Sequence, residues 1–364
     1  ASKMADVPAS LGIQIDDPPT DGISSISFAK TSDALLVTSW DGTVRVYDVD
    51  PDGRSTLRCR FDTNAPVLDA CFCGENDDAV VSCGLSKAVM YHDLDTQVTS
   101  VVGTHSDTVR CVAWDQSSGG LIFSAGWDGQ VKCWDLSKPA ESRCLRSASL
   151  PGKAHAMALY SGTTESNESS GDEIAAPNRL VIATAGGRIV SLFPKRFAES
   201  GEIEFDRAST LSHQTRALAI TPDGGGFVNT SVEGRVAWER FSEEQVNEQY
   251  AFKCHRTKDE GCEKNAKAKE SLPHSVHAAC FHPTGAFCTG GGDGFVNTWD
   301  GNRKKRVFQY ERYPTSVAGV SFSKDGTRVA VAVSAERKNE TANVSADAVY
   351  VKLVGAAQVA LKNK

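Results

Sequence analysis

Short runs of alternating apolar and polar residues recur along the chain, each bounded by Gly, Asp, Ser or Pro. The clearest is Thr43-Val44-Arg45-Val46-Tyr47, preceded by Ser39-Trp40-Asp41-Gly42 and closed by Asp48. Period-two alternation puts one set of side chains on each face of a strand. Asp-Gly between two such runs marks a tight hairpin, because both residues tolerate positive φ. Around this hairpin the pattern predicts four strands, at residues 24–28, 34–39, 43–47 and 56–62.

The same signature returns at Gly126-Trp127-Asp128-Gly129-Gln130-Val131-Lys132-Cys133-Trp134-Asp135 and at Gly292-Asp293-Gly294-Phe295-Val296-Asn297-Thr298-Trp299-Asp300. Weaker copies keep the alternation around Ser86-Lys87, Gly186-Gly187 and Gly234-Arg235, and a last run spans 348–353. The units close near Asp48, Asp93, Asp135, Phe193, Arg240, Asp300 and Val354. That makes seven four-stranded units at spacings of roughly 42 to 60 residues, the period of propeller blades. The expected architecture is therefore all-β, a single seven-bladed β-propeller over residues 1–364. Alternation at Leu11-Gly12-Ile13-Gln14-Ile15 predicts an N-terminal strand that closes the last blade. Gly103-Thr104-His105, about thirty residues before Trp134-Asp135, resembles the Gly-His to Trp-Asp frame of the WD-repeat family. The resemblance implies a structural His105–Asp128 hydrogen bond. Three polar stretches, 161–177, 255–271 and 335–347, interrupt the rhythm and are expected to be mobile insertions.

Composition narrows the function. No apolar run approaches the roughly 20 residues that span a bilayer, so no membrane association is expected. Residues 1–17 are polar and acidic, without an apolar leader, and the eleven cysteines suit a reducing compartment. The sequons at Asn167, Asn229, Asn339 and Asn343 are then expected to be fortuitous. A formal charge of −7 disfavours direct DNA binding. Cys254, His255, Cys262, His274, His277, Cys280 and His282 crowd one stretch, but their spacing fits no zinc pattern, and no metal or cofactor is expected. No nucleophile elbow, P-loop or acid/base pair is legible, which reads as a non-enzymatic protein. Arg303-Lys304-Lys305-Arg306 is a short basic run, either a nuclear-localisation patch or a solvated turn.

Blade geometry points to one face. In an a-b-c-d blade the b–c turns and d–a connections share a side. Trp40 and Trp127 precede the Asp of b–c turns, and Arg188 and Arg235 follow the Gly of two others. Arg216 begins an a strand, and Lys253 and Arg256 follow a d strand. Tryptophan at a turn has a large apolar area to hide, and Trp and Arg are favoured interface anchors. An acidic or phosphorylated peptide across this face is the expected ligand.

Several stretches resemble one WD-repeat family, the mitotic spindle-checkpoint scaffold of the budding-uninhibited-by-benzimidazole group. They include Pro18-Pro19-Thr20-Asp21-Gly22-Ile23, Gln214-Thr215-Arg216, Glu233-Gly234-Arg235-Val236-Ala237, Phe252-Lys253-Cys254-His255-Arg256 and Arg312-Tyr313-Pro314-Thr315-Ser316. The resemblance implies a nuclear, kinetochore-associated and cytoplasmic adaptor. Its partners would be checkpoint kinases, through acidic motifs of the GLEBS type, and the phosphorylated kinetochore scaffold. Trp40, Trp127 and Arg216 would line the peptide groove, while Arg235, Lys253 and Arg256 would read phosphate. A related nuclear-pore mRNA-export protein shares the Phe-Lys-Cys-His-Arg stretch, so a nucleoporin is the alternative partner.

Overall fold

The b strand of every blade is buried along its whole length, from Ala34–Ser39 in blade one to Arg328–Val333 in blade seven. Such strands are covered by neighbouring blades on both faces, so their runs are mostly apolar or small rather than alternating. The computed structural model describes residues 9–162, 176–258, 271–335 and 347–361. Seven four-stranded antiparallel sheets form a ring, and a small two-stranded ribbon lies outside it. Blade one comprises Ile23–Phe28, Ala34–Ser39, Thr43–Val49 and Ser55–Asp62, within a residue or two of the expected limits. The core is not one centre but a set of apolar clusters between adjacent blades.

The hairpin turns show why the Asp-Gly signature recurs. Asp41 Oδ1 accepts the Thr43 N–H at 2.9 Å and its hydroxyl at 2.6 Å, while Gly42 takes φ 81°. In blade two Lys87 occupies the glycine position at φ 64° and Ser86 Oγ accepts the Ala88 N–H at 3.4 Å. The turn survives there, though a left-handed non-glycine costs about 1–2 kcal/mol.

Ring closure follows the expectation. Ile13–Gln14 pairs antiparallel with Ala348–Leu353, matching Ile13 to Val351 and Gln14 to Tyr350. A buried cation anchors the join: Arg45, 1% exposed, donates to Asp17 Oδ2 at 3.0 Å, and Tyr47 donates to the Asp17 carbonyl at 2.9 Å.

The expected His105–Asp128 bond is present at 2.9 Å. His105 Nε2 meets Ser124 Oγ at 2.8 Å, and the Trp134 indole N–H donates to the same hydroxyl at 2.8 Å. Indole only donates, so the hydroxyl proton goes to Nε2 and the Nδ1 proton to Asp128. Blade six repeats the network with His255, Asp293, Thr289 and Trp299, at 2.8, 2.8 and 2.9 Å. His255 is thus a buried structural residue, not the start of an insertion. The adjoining Arg256–Lys258 and Ser271–Pro273 pair as the ribbon. The remainder of that stretch, and nearly all of 161–177 and 335–347, lie outside the described residues.

The other crowded groups are dispersed. His282 bonds Thr284 and the Gly326 carbonyl, Cys254 and Cys280 are free thiols, and Cys262 lies outside the described residues. Among the described residues no group of three His, Cys, Asp or Glu side chains could hold a metal. Asn229 is fully buried and donates to Ser209 at 2.7 Å, which closes that sequon to modification in the folded protein. No helix among the described residues is long and apolar enough to cross a membrane.

Candidate peptide-binding face

Each blade's a strand slips register at its second residue, for example between Val109 and Cys111 and between Val276 and Ala278. The same slip occurs in all seven blades. A bulge re-aims the side chain it displaces. Here the displaced residues, Ser24, Leu68, Arg110, His155, Arg216, His277 and Ala318, ring the mouth of the central channel. Blades three to six supply Arg, His, Arg and His in order. Blades seven, one and two supply small or apolar residues.

Above this ring opens a cleft of about 480 Å³. It brings together three residues chosen from the sequence: Trp40 from blade one, Trp127 from blade three and Arg216 from blade five. The tryptophans are placed by equivalent contacts. The Trp40 N–H donates to Gly22 O at 2.9 Å, and the Trp127 N–H to Thr108 O at 2.8 Å, each just ahead of its blade's a strand. Trp40 is 46% exposed although it is a large apolar side chain. Trp127 is half-buried, with Lys153 Nζ 5.6 Å from its ring centroid. Among the described residues its buried indole N–H has no hydrogen-bond acceptor, a donor that a ligand could satisfy.

The channel side of the cleft is electropositive. Arg216 lies 3.2 Å from His277 Nδ1, and Arg110 donates to the Leu68 carbonyl at 3.3 Å. Burial, then Arg110, Arg216 and Lys153, hold the His155 pKa below its ordinary value. A positive potential that disfavours a protonated imidazole favours an incoming carboxylate. The acids of the cleft sit on its other side: Asp347 accepts from Ser334 at 2.6 Å, and Asp21 accepts the Gly22 N–H at 2.7 Å. Half-buried Asp69, its pKa raised by desolvation against the pull of Arg110, accepts from Ser25 and from the Val112 N–H below the mouth.

The other selected cations lie outside this cleft. Arg235 lines a separate pocket of about 180 Å³ with His213 and Glu233, which pair with each other at 2.8 Å. Lys253 stands directly opposite Arg235 across the c–d pairing of blade five. Arg256 is engaged structurally: it donates to Ser271 Oγ at 3.2 Å and to the Glu233 carbonyl at 3.3 Å, tying the ribbon to a b–c turn. Arg188 pairs with Asp206 at 2.8 Å and reads as a solvated turn residue. The sequence reading missed Arg110 and His155, and took His277 only as a possible metal ligand. The signal available was positional, since all three share with Arg216 the second place in an a strand.

Three segments, residues 13–48, 96–135 and 267–300, match the family model for the WD domain, G-beta repeat. The chain is 38% identical to mitotic checkpoint protein BUB3.1 of Arabidopsis thaliana, over 99% of this chain and 98% of that protein. It is 34% identical to mitotic checkpoint protein bub-3 of Caenorhabditis elegans, over 89% and 87% of the two chains. It is also 29% identical to a poly(A)+ RNA export protein of Schizosaccharomyces pombe, over 88% and 84%.

Proposed function

The chain belongs to the WD-repeat family of Bub3 mitotic checkpoint proteins, and we propose that it acts as a non-enzymatic adaptor whose channel face binds acidic GLEBS-type peptides. The observation that carries this reading is the convergence of Trp40, Trp127 and Arg216 on one cleft, from three blades far apart in sequence. Tryptophan faces supply apolar anchors, and Arg216 with Arg110 supplies donors for motif carboxylates. Arg110 and Arg216 occupy equivalent places two blades apart, a spacing that suits two acidic side chains of one extended segment.

A second part of the reading concerns phosphate. Arg235 and Lys253 form a cationic pair on blade five, the blade that also carries Arg216. Their proposed ligand is a phosphorylated Met-Glu-Leu-Thr segment of the kinetochore scaffold. The checkpoint kinases and that scaffold are then its partners, at the kinetochore and in the nucleus. The Schizosaccharomyces pombe relative favours a second reading, an mRNA-export adaptor that holds a nucleoporin motif in the same cleft.

Titration calorimetry with a phosphorylated Met-Glu-Leu-Thr peptide and its unphosphorylated form separates the two. The checkpoint reading expects binding that depends on phosphate. Equal affinity for both peptides overturns it in favour of export.

A further inference from the structure

A cavity of about 660 Å³ opens on the opposite face, between blades five and six where the c–d connections run. Its floor is aromatic. Trp238 and Tyr250 stack with ring centroids 6.4 Å apart and planes 15° apart. The turn after Asp300 lies directly on them: Tyr250 donates to the Gly301 carbonyl at 2.6 Å. A Cβ on Gly301 would stand 2.2 Å from the Trp238 ring, so only glycine allows this approach.

Cations form the lip. Arg303 and Lys304 are exposed and line the cavity, and Lys304 Nζ lies 4.5 Å from the Tyr250 ring centroid. The acids at the same cavity are already engaged. Glu248 pairs with Arg240 at 3.0 Å, and Asp300 accepts the Arg303 backbone N–H at 3.0 Å. Among the described residues, neither the Arg303 nor the Lys304 side chain joins an ion pair with a carboxylate. The basic run does not present itself as an extended targeting signal, because Lys305 and Arg306 are built into the outer strand of blade six. In a chain of formal charge −7, four consecutive exposed cations beside an aromatic recess are a local reversal of sign.

We propose that this recess is a second docking site, for an acidic peptide segment of a partner protein. Carboxylates of the segment pair with Arg303 and Lys304, and its chain lies beside the Tyr250 ring. Charge complementarity selects the ligand: the lip offers donors without acidic partners, and the half-buried Tyr250 ring offers an apolar edge for side-chain stems of the segment. The site is independent of the channel-face cleft, and two acidic ligands could occupy the two faces together.

The test uses a fluorescein-labelled Glu-Asp-Glu-Leu-Glu-Asp-Glu peptide, its Gln/Asn counterpart and a short oligothymidylate, read by anisotropy on the full chain. The background is the Arg216→Ala variant, so that the channel-face cleft is impaired. Arg303→Ser with Lys304→Asn removes the lip cations from exposed positions, and asparagine tolerates the φ of 58° at residue 304. The proposal expects the acidic peptide to bind the Arg216→Ala chain, and the lip double variant to weaken that binding by roughly tenfold or more with an unchanged melting midpoint. It is overturned if the Arg216→Ala chain does not bind the peptide, or if the lip variant binds it equally. It is overturned too if the neutral peptide binds as well as the acidic one, or if the oligothymidylate binds more tightly than either peptide.

Discussion

Arg235 and Lys253 lie directly opposite each other on adjacent strands of blade five, and among the described residues neither joins an ion pair. Like charges in direct cross-strand register destabilise a sheet. A cationic pair held in this register fits the proposed phosphate ligand, which would offset the repulsion. Arg235→Ala and Lys253→Ala should each leave the melting midpoint unchanged or slightly raised, while lowering phosphopeptide affinity by roughly tenfold or more. Calorimetry beside thermal melting checks this. A variant that lost stability and affinity together would assign the pair a structural role.

In the channel-face cleft, Trp40→Ala and Arg110→Gln should weaken a GLEBS-type peptide by roughly tenfold or more. Neither should abolish the preference for phosphate, because Arg235 lines a separate pocket. Trp40 is exposed at its turn, so its loss should barely move the melting midpoint. Parallel titrations with the acidic motif and the phosphopeptide give the readout, and equal losses for both ligands would contradict two separate subsites.

Stability should fall in mild acid because of His92. This side chain stands in blade two where Trp134 stands in blade three, fully buried between the hydroxyls of Ser82 and Thr99 at 2.7 and 2.9 Å. Burial depresses its pKa from 6.5 to about 4. The folded state thus holds the neutral form, and its contribution is fully present above the unfolded value. It is lost as pH falls from there towards the folded value. Urea denaturation at about pH 7.5 and about pH 4.5 should differ by roughly 2–3 kcal/mol from this group. His92→Gln should reduce that difference, and an undiminished pH dependence in the variant would assign it to other groups. The Asp128 and Asp293 carboxylates are depressed overall, since hydrogen bonds outweigh their desolvation, so their contributions disappear at lower pH.

Deleting residues 1–17 should open the ring. It removes the strand paired with Ala348–Leu353 and takes Asp17 from the buried Arg45 guanidinium. Arg45 then keeps only the longer ion pair to Asp41 at 3.9 Å, and the bared strand is a template for self-association. Size-exclusion chromatography and thermal melting should show oligomers and a lower midpoint. A monomer with the midpoint of the full chain would refute closure by this segment.

Much of the ring was legible because its signals are local. Strand runs follow from period-two alternation, and turns from Asp-Gly or its stand-ins. The facing of Trp40, Trp127 and Arg216 followed from counting turns along each blade. His255 was not legible in this way. It looked like the edge of a polar insertion because its acidic partner, Asp293, is 38 residues away on another hairpin. Arg256 had the same appearance, and its bonds to Ser271 and Glu233 emerge only when the ribbon folds back onto blade five.

By itself the sequence determined the repeat, the strands and the side of each blade on which a residue falls, since these depend on backbone preferences over a few positions. Only the tertiary structure decided which residues share a cavity. Arg110, His155, Arg216 and His277 meet because four similar bulges are turned inward by ring closure. Arg235 stays apart because the same closure leaves it in its own pocket on blade five. Such convergence is set by packing between blades across long stretches of chain, where no local pattern reaches.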